Sequence, residues 1–509
     1  MIAPSRLGAK VGIAFFFVTI LGFLFASSMA KNLNHDEHQF IAPAVLLAQD
    51  SLQPYRDFPL FHLPNLVFIY AALFRVFDHP FLVARCFSVL CAFGTAALIF
   101  RECWHRPPFG LTRCRIVAAI TVALFLVLDP LFFFTTGRAW NHDSAALLII
   151  LATILQVKAA RQDSIPLATA SAISAGLAAG IRLTVAPILI PLWFSIWFFP
   201  APMRRRAIIA AIYVATATSA LAPSLYYLAA HTDPFLFGNF EFQRLRLLDP
   251  ENERIRKTMH PLRKLRFFFK EVALPSFPLF LGFIAFAVVP ASKFFRNRTQ
   301  KLFGTALVAA ILPFALIGCF TPSRYQYQHY FIIIPLLVLG IVFGIASIQS
   351  PRKWMLIAAP ILSLICFCRF IYTSSSEVFP GPIGDWFPNR ISRIADQIAE
   401  KCPQGPILTL APIYPMEASL KTYPEFSTGP FAWKSAHFIA LERRRALHLI
   451  VPDDLAQLIS EKPPGAILTG VEEAALEKPL IEYSRAHQFT AVKLGKERTL
   501  WMPPKPKTE

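Results

Sequence analysis

Four short segments carry side chains whose types suit chemistry at a membrane surface. Asn34-His35-Asp36-Glu37-His38 sets two carboxylates among imidazoles, and Arg138 stands just before Asn141-His142-Asp143. Arg182 precedes Thr184 by two positions, and Arg324-Tyr325-Gln326-Tyr327-Gln328-His329 mixes a cation, phenols and an imidazole. A carboxylate at an apolar wall can take a proton from an attacking hydroxyl. Guanidinium groups suit phosphate oxygens, which they hold by paired hydrogen bonds. Each group also has a plainer reading. Asp36 can cap a helix that starts near Glu37, arginines can snorkel from a span to the interface, Tyr325 and Tyr327 fit an aromatic belt, and His329 can cap the apolar run after it. Residue types alone leave these readings open.

The elements that position these groups are hydrophobic helices. Of 509 residues, 55% are hydrophobic and only 16% charged, where a soluble domain carries about 25% charged residues. Apolar runs recur from residue 11 to 372 and then stop. Spans are expected near 11–30, 81–100, 116–134, 143–157, 166–181, 185–200, 207–230, 272–292, 302–320, 329–348 and 354–372, about eleven in all. The net charge of +19 sits in short clusters between the runs, which argues for membrane orientation and against nucleic acid. The eight cysteines show neither metal-binding spacing nor a disulfide framework.

With the N-terminus cytoplasmic, the inner loops hold Arg101 to Arg115, Lys158 and Arg161, Arg204 to Arg206, Lys293 to Lys301, and Arg352-Lys353. All are basic, as inner loops should be. The first run also fits a cleavable signal peptide, and either fate delivers Lys31 and its successors to the outer side. Leu63 to Phe77 is apolar but short and is expected to lie flat as an outer interfacial helix. The four chemical segments then all fall at the outer ends of spans. The outer loops are 31–80, 135–143, 231–271 and 321–328, and the third is itself strongly basic, from Arg244 to Lys270. A domain of residues 1–375 is therefore expected to be transmembrane.

After residue 376 the apolar runs shorten to strand length at 406–410, 448–451, 466–469 and 490–494. Helices alternate with them, one carrying Ile391, Ile394, Ala395, Ile398 and Ala399 on one face and one starting after Asp453-Asp454. Residues 376–509 are expected to form an extracytoplasmic α/β domain that holds the acceptor. It contains no phosphate-binding glycine loop and no nucleophile elbow.

Asp36-Glu37-His38-Gln39-Phe40-Ile41, Ala44, Leu46-Leu47, Pro54-Tyr55-Arg56-Asp57 and Pro64 resemble the first outer loop of GT-C glycosyltransferases, the relatives of protein O-mannosyltransferases and the aminoarabinose transferase. Further likeness lies in Asn141-His142-Asp143, Gly180-Ile181-Arg182-Leu183-Thr184 and Tyr330-Phe331-Ile332-Ile333-Ile334-Pro335, across most of residues 10–350. Val185 stands where many relatives have Lys, and His62-Leu63-Pro64 matches the family's lysine-proline segment only loosely. Two stretches, 407–412 and 423–431, are similar to outer domains of bacterial members, which points to a bacterial inner membrane.

The resemblance implies a polytopic helical enzyme that moves a sugar from a polyprenyl-phosphate carrier to a hydroxyl of a lipid, glycan or protein acceptor. On that footing Asp36 is the candidate general base, acting with inversion, and Glu37 and Asp143 orient the sugar or acceptor. Arg56, Asp57, His62, Arg138, Asn141, Arg182, Arg324, Tyr325 and His329 are the other substrate-binding candidates. A divalent cation, Mg2+ or Mn2+, on Glu37 and Asp143 is left open, because metal dependence differs among the relatives. A lipid or solute transporter and a non-catalytic scaffold are the competing classes. Transport is disfavoured, because no internal repeat and no convincing mid-span charge appear.

Overall fold

The structure, a computed structural model, describes residues 6–105, 112–245, 260–297, 299–321, 325–347, 367–368, 370–372, 381–402, 404–495 and 497–504. The membrane part opens with eight helices. These are α1 (Arg6–Ala30), α2 (His38–Gln49), α3 (Asn65–Phe74), α4 (Pro80–His105), α5 (Thr112–Val127), α6 (Pro130–Thr135), α7 (His142–Gln162) and α8 (Ile165–Ile181). Among the described residues, six helices are long and apolar enough to cross a bilayer, and a seventh span arises if Met203–Ala220 and Ala222–Ala230, bent by 62°, count as one. The shorter expected spans appear as the apolar helices Arg115–Val127, Ile165–Ile181 and Leu183–Phe198. The run at 354–372 lies, apart from a few residues at its end, outside the described residues.

Local sequence explains the boundaries. α4 starts on Pro80, whose missing N–H costs nothing at a first helical position. Asp129 caps α6 by accepting from Leu131 N at 2.9 Å and Phe132 N at 3.2 Å. Ser164 caps α8 ahead of Pro166. α3 is a helix of 10 residues, about 15 Å long and half a hydrocarbon core. At that length it is too short to span the core, and Leu66, Val67 and Tyr70 are fully buried beneath neighbouring elements.

The C-terminal region forms one four-stranded sheet in the order β1 (Ile407–Leu408), β2 (Ala466–Thr469), β4 (Arg498–Met502), β3 (Thr490–Leu494). β1 and β2 run parallel, and the other pairings are antiparallel, with Ile467 opposite Trp501 and Val492 opposite Leu500. One strand expectation is corrected, and one strand is added. His448 to Val451 is not a strand, because His448 takes φ 55° and Leu449 turns back to bond Arg444 O. The hairpin partner β4 follows Gly495 and was not anticipated. The expected helices are present as Phe387–Lys401 and Leu455–Glu461.

Two large apolar clusters organise the chain. One joins the spans through residues such as Ile99, Ile149, Ala175, Ile311 and Leu336. The other binds the outer segments to the sheet region, running from Phe40, Leu66 and Phe81 to Ile391, Ile407 and Leu500. The C-terminal region is thus seated by a shared core on the segments that link the first spans, and three of the four chemical segments adjoin that core through Phe40, Trp140 and Ile181.

Candidate active site

The first chemical segment is a single 3-10 turn, His35–Glu37, joined directly to α2. Asn34 caps it, accepting from Asp36 N at 2.9 Å, while the Glu37 carboxylate accepts from Asn34 N at 2.9 Å. This reciprocal capping fixes the turn from within. It is also fixed from below. Arg85, one turn into α4, donates Nε to Glu37 Oε1 at 3.0 Å and Nη2 to Oε2 at 2.8 Å. Its other bonds go to the carbonyls of Ser28 and Lys31 at 2.7 Å and Asn32 at 3.1 Å. Ala139 N donates to Glu37 Oε1 at 2.8 Å. Both side chains of the pair are 0% exposed. Burial pushes the Glu37 carboxyl up, but the Arg85 charge and bonds, helped by Arg138 and Asn34, outweigh it and hold the group below its ordinary value.

Asp36 points elsewhere. Its carboxylate is a quarter exposed, lies 3.4 Å from Gln39 Nε2, and interacts electrostatically with Arg182. Arg182 follows the last residue of α8 and is held by the second chemical segment. Its Nη1 lies 2.6 Å from Asn141 Oδ1 and 3.0 Å from His142 Nε2, and its Nε donates to Thr184 Oγ1 at 2.9 Å. Gly180 lets this corner form, since a Cβ there would lie 2.2 Å from Asn65 Nδ2 of α3. His142 in turn has Arg182, His329 and His62 as electrostatic neighbours. Residues from four separate outer segments therefore meet: Asp36, the Asn141-His142 pair, Arg182 with Thr184, and His329, with His62 stacked on Phe40 at 4.6 Å.

The remaining candidates are placed as follows. Arg138 donates to Asn32 O at 3.0 Å and lies over the Phe134 and Trp140 rings, beside Glu37. Asp143 is buried at the start of α7, where Oδ2 accepts from Gly137 N at 2.8 Å, with Lys31 as its cationic neighbour. Gly137 is required in that turn, because its φ is +78° and a Cβ would lie 2.5 Å from Ser28 Cβ. Arg56 and Asp57 pair with each other at 2.7 Å on the surface, where Arg56 O meets His448 Nε2 at 2.8 Å. Tyr325 stacks on Phe267 of the basic outer segment at 4.4 Å, and Lys264 of that segment donates to Phe320 O at 2.7 Å. Arg324 lies outside the described residues, as do Arg246, Arg254, Arg256 and Lys257.

Glu37 and Asp143 do not fit a cation site. Four N–H donors, two of them from a buried guanidinium, occupy the Glu37 oxygens, and Asp143 faces a backbone N–H and a lysine. Among the described residues no group of three or more His, Cys, Asp or Glu could hold a metal ion.

No protein-family model matches the chain, and no curated protein matches it in sequence. Solved structures do. The crystal structure of ArnT from Cupriavidus metallidurans bound to undecaprenyl phosphate aligns with a TM-score of 0.60 at 13% identity, over 98% of this chain and 99% of that one. The apo state of the same protein gives 0.55 at 12% identity, over 97% and 98%. The Archaeoglobus fulgidus oligosaccharyltransferase in complex with Zn and sulfate gives 0.50 at 11% identity, over 90% and 68%. The fold is a GT-C fold.

Within this GT-C scaffold, three contributors escaped sequence reading. Arg85 is a lone charge inside an apolar run, and a lone intramembrane arginine below an acidic pair is itself a signal of pairing. Lys31, which donates to the carbonyls of Phe133 and Thr136, ties the first outer loop to the second. Glu472 comes from the C-terminal region, lies 3.9 Å from His38 and interacts with Asp36. No spacing or motif in the sequence announces it.

Proposed function

We propose that this chain is a membrane glycosyltransferase that moves a sugar from a polyprenyl-phosphate carrier to an acceptor hydroxyl on the outer face of the membrane. The observation that carries the reading is the electrostatic proximity of Asp36 and Arg182. A partly open carboxylate on a rigid turn interacts with a guanidinium that Asn141, His142 and Thr184 hold in place. A GT-C fold, shared with an ArnT structure that binds undecaprenyl phosphate, supports the choice of carrier.

In this mechanism the Asp36 carboxylate takes the proton of the acceptor hydroxyl as its oxygen attacks the anomeric carbon. The bond from that carbon to the carrier phosphate breaks on the opposite face, the phosphate leaves with the electron pair, and the anomeric centre inverts. A positioned base contributes roughly 10² to 10⁴ in rate. Arg182, Arg138 and His329 stabilise the departing phosphate charge, which favours guanidinium over ammonium. Glu37 acts through Arg85 and the turn, as a positioning residue. The basic inner loops make the N-terminus cytoplasmic and put the site and residues 376–509 outside, in a bacterial inner membrane. Residues 1–375 are the transferase domain, and the outer domain presents the acceptor.

The test is transfer of labelled sugar from a panel of polyprenyl-phosphate sugars in proteoliposomes, with the native protein and Asp36→Asn at equal loading. Product from the native protein and a loss of at least about 10² with Asp36→Asn is the expected result. An active Asp36→Asn removes the base assignment, and a native protein that consumes no donor removes the transferase reading.

A further inference from the structure

The seam above Asp36 is built with more care than a contact between two regions needs. Its floor is the His35–Glu37 turn and the start of α2. Its roof comes from the C-terminal region: the turn at Gly429, Lys434 on the helix Pro430–Ser435, and the loop Gly470 to Glu473. Gly429 adopts φ +63°, and a Cβ there would lie 3.2 Å from His38 Cβ. Ser427 Oγ donates to Pro59 O at 2.9 Å and fixes the same turn to the first outer loop. His35 meets the Phe431 ring edge-on at 5.4 Å.

The loop bearing Glu472 is clamped by one buried carboxylate. Glu477 accepts from Gly470 N at 2.5 Å, Val471 N at 3.1 Å and Glu472 N at 3.0 Å. Three backbone donors on one side chain leave the loop little freedom, so the direction of the Glu472 side chain is set in advance. That direction is inward. The side chain is 8% exposed, its Oε1 lies 3.9 Å from His38 Nε2, and its charged neighbours are Lys434, Glu473, Glu477 and Asp36.

His38 supplies an independent sign that a ligand belongs here. It is 0% exposed, and neither ring nitrogen has a hydrogen-bond partner among the described residues. An imidazole with both nitrogens unmet in a buried place costs free energy that ordinary cores avoid. At 3.9 Å its approach to Glu472 is too long for a hydrogen bond. A pre-aimed carboxylate and an unmet imidazole thus face each other beside the candidate base, and Asp36, a quarter exposed, reaches solvent next to them.

We propose that Glu472 orients the acceptor: Asp36 takes the attacking hydroxyl while Glu472, backed by His38, takes a neighbouring hydroxyl of a polyhydroxylated acceptor such as a sugar diol. The inference rests on the transferase reading and narrows it, since a lone hydroxyl on an apolar or peptide chain would satisfy Asp36 and leave Glu472 unmet. A site built to bind a particular hydroxyl discriminates strongly against acceptors that lack it.

The experiment uses the full-length protein in proteoliposomes with the donor found above, and lets water, glycerol and 1-propanol compete as acceptors. Because each measurement is a ratio of products, it is independent of how much of a variant is folded. The native protein is expected to favour glycerol over 1-propanol by at least about tenfold per hydroxyl, the worth of one hydrogen bond to a charged group. Glu472→Gln should bring that ratio close to one, Glu472→Asp should leave it between, and Glu461→Gln, on the exposed end of its helix, should match the native ratio. A Glu472→Gln protein with the native preference, or a native protein without one, overturns the proposal. A native protein that yields neither hydrolysis nor transfer overturns the transferase reading and this inference with it.

Discussion

Replacing Glu37 by glutamine tests whether the acidic pair divides into a base and a support. The change is nearly isosteric, so its consequence comes from hydrogen-bond count and charge. In the native protein Arg85 Nε and Ala139 N converge on Oε1, and Arg85 Nη2 and Asn34 N on Oε2. Glutamine offers one oxygen where two are needed, and its NH2 must face two N–H donors. Arg85 is left as a buried cation without a counter-charge. Breaking a buried pair from one side costs about 3 to 5 kcal/mol, in the same range as two unmet donors at roughly 1 to 3 kcal/mol each. Thermal unfolding in detergent should fall by about 3 to 5 °C. A double variant, Glu37→Gln with Arg85→Met, should recover much of that loss, because the stranded charge is gone. A Glu37→Gln protein that unfolds within about 1 °C of native and yet transfers no sugar would refute the support role and place Glu37 among the reacting groups.

Arg182→Lys should keep the fold but raise the apparent KM for donor more than about tenfold, since a lysine cannot span Asn141, His142 and Thr184 as the guanidinium does; steady-state kinetics against donor concentration checks this. Gly137→Ala should destabilise by roughly 1 to 3 kcal/mol for the left-handed backbone alone, with more from the clash on Ser28, and should lower the yield of folded protein in size-exclusion profiles. Burial raises the Glu472 carboxyl from 4.5 to about 7. Its native form therefore holds a proton more tightly than the unfolded chain does, so its contribution favours the fold below about pH 4.5, declines as pH rises toward 7 and is level above. Glu472→Gln should flatten that part of a melting-temperature series between about pH 4.5 and 7. Glu37, held low, should add no slope above its ordinary value.

Much of the membrane part was legible because hydropathy is a local property. The runs at 11–30, 81–100, 143–157, 302–320 and 329–348 each became a helix of matching position, and Asn141-His142 and Arg182 were found because polar groups at span ends stand out against apolar neighbours. Strand 448–451 failed for the opposite reason. A histidine and three apolar residues after a basic helix read as a strand, whereas Leu449 and Val451 fill a small cluster with Phe431 and Phe242 and the backbone turns to reach Arg444 and Asp454. Strand β4 was hidden because its register depends on β2, some thirty residues earlier in the chain.

The division of labour at the site was hidden more deeply, and its cause is physical. Asp36 and Glu37 are adjacent and chemically alike, so nothing in their order says which is buried. The structure decides by geometry: one carboxylate is fully buried on a guanidinium one turn inside a span, and the other stays a quarter exposed within electrostatic reach of Arg182. Arg85 lies 48 residues from Glu37, and Glu472 comes from the far end of the chain, brought there by the end of the interior strand β2 and the clamp of Glu477. A pair of like charges that separates into one satisfied and one partly open group is how a fold keeps a base reactive. The buried member holds the turn rigid with bonds it cannot share. That rigidity holds the partly exposed member, which bonds Gln39 at 3.4 Å, within electrostatic reach of Arg182.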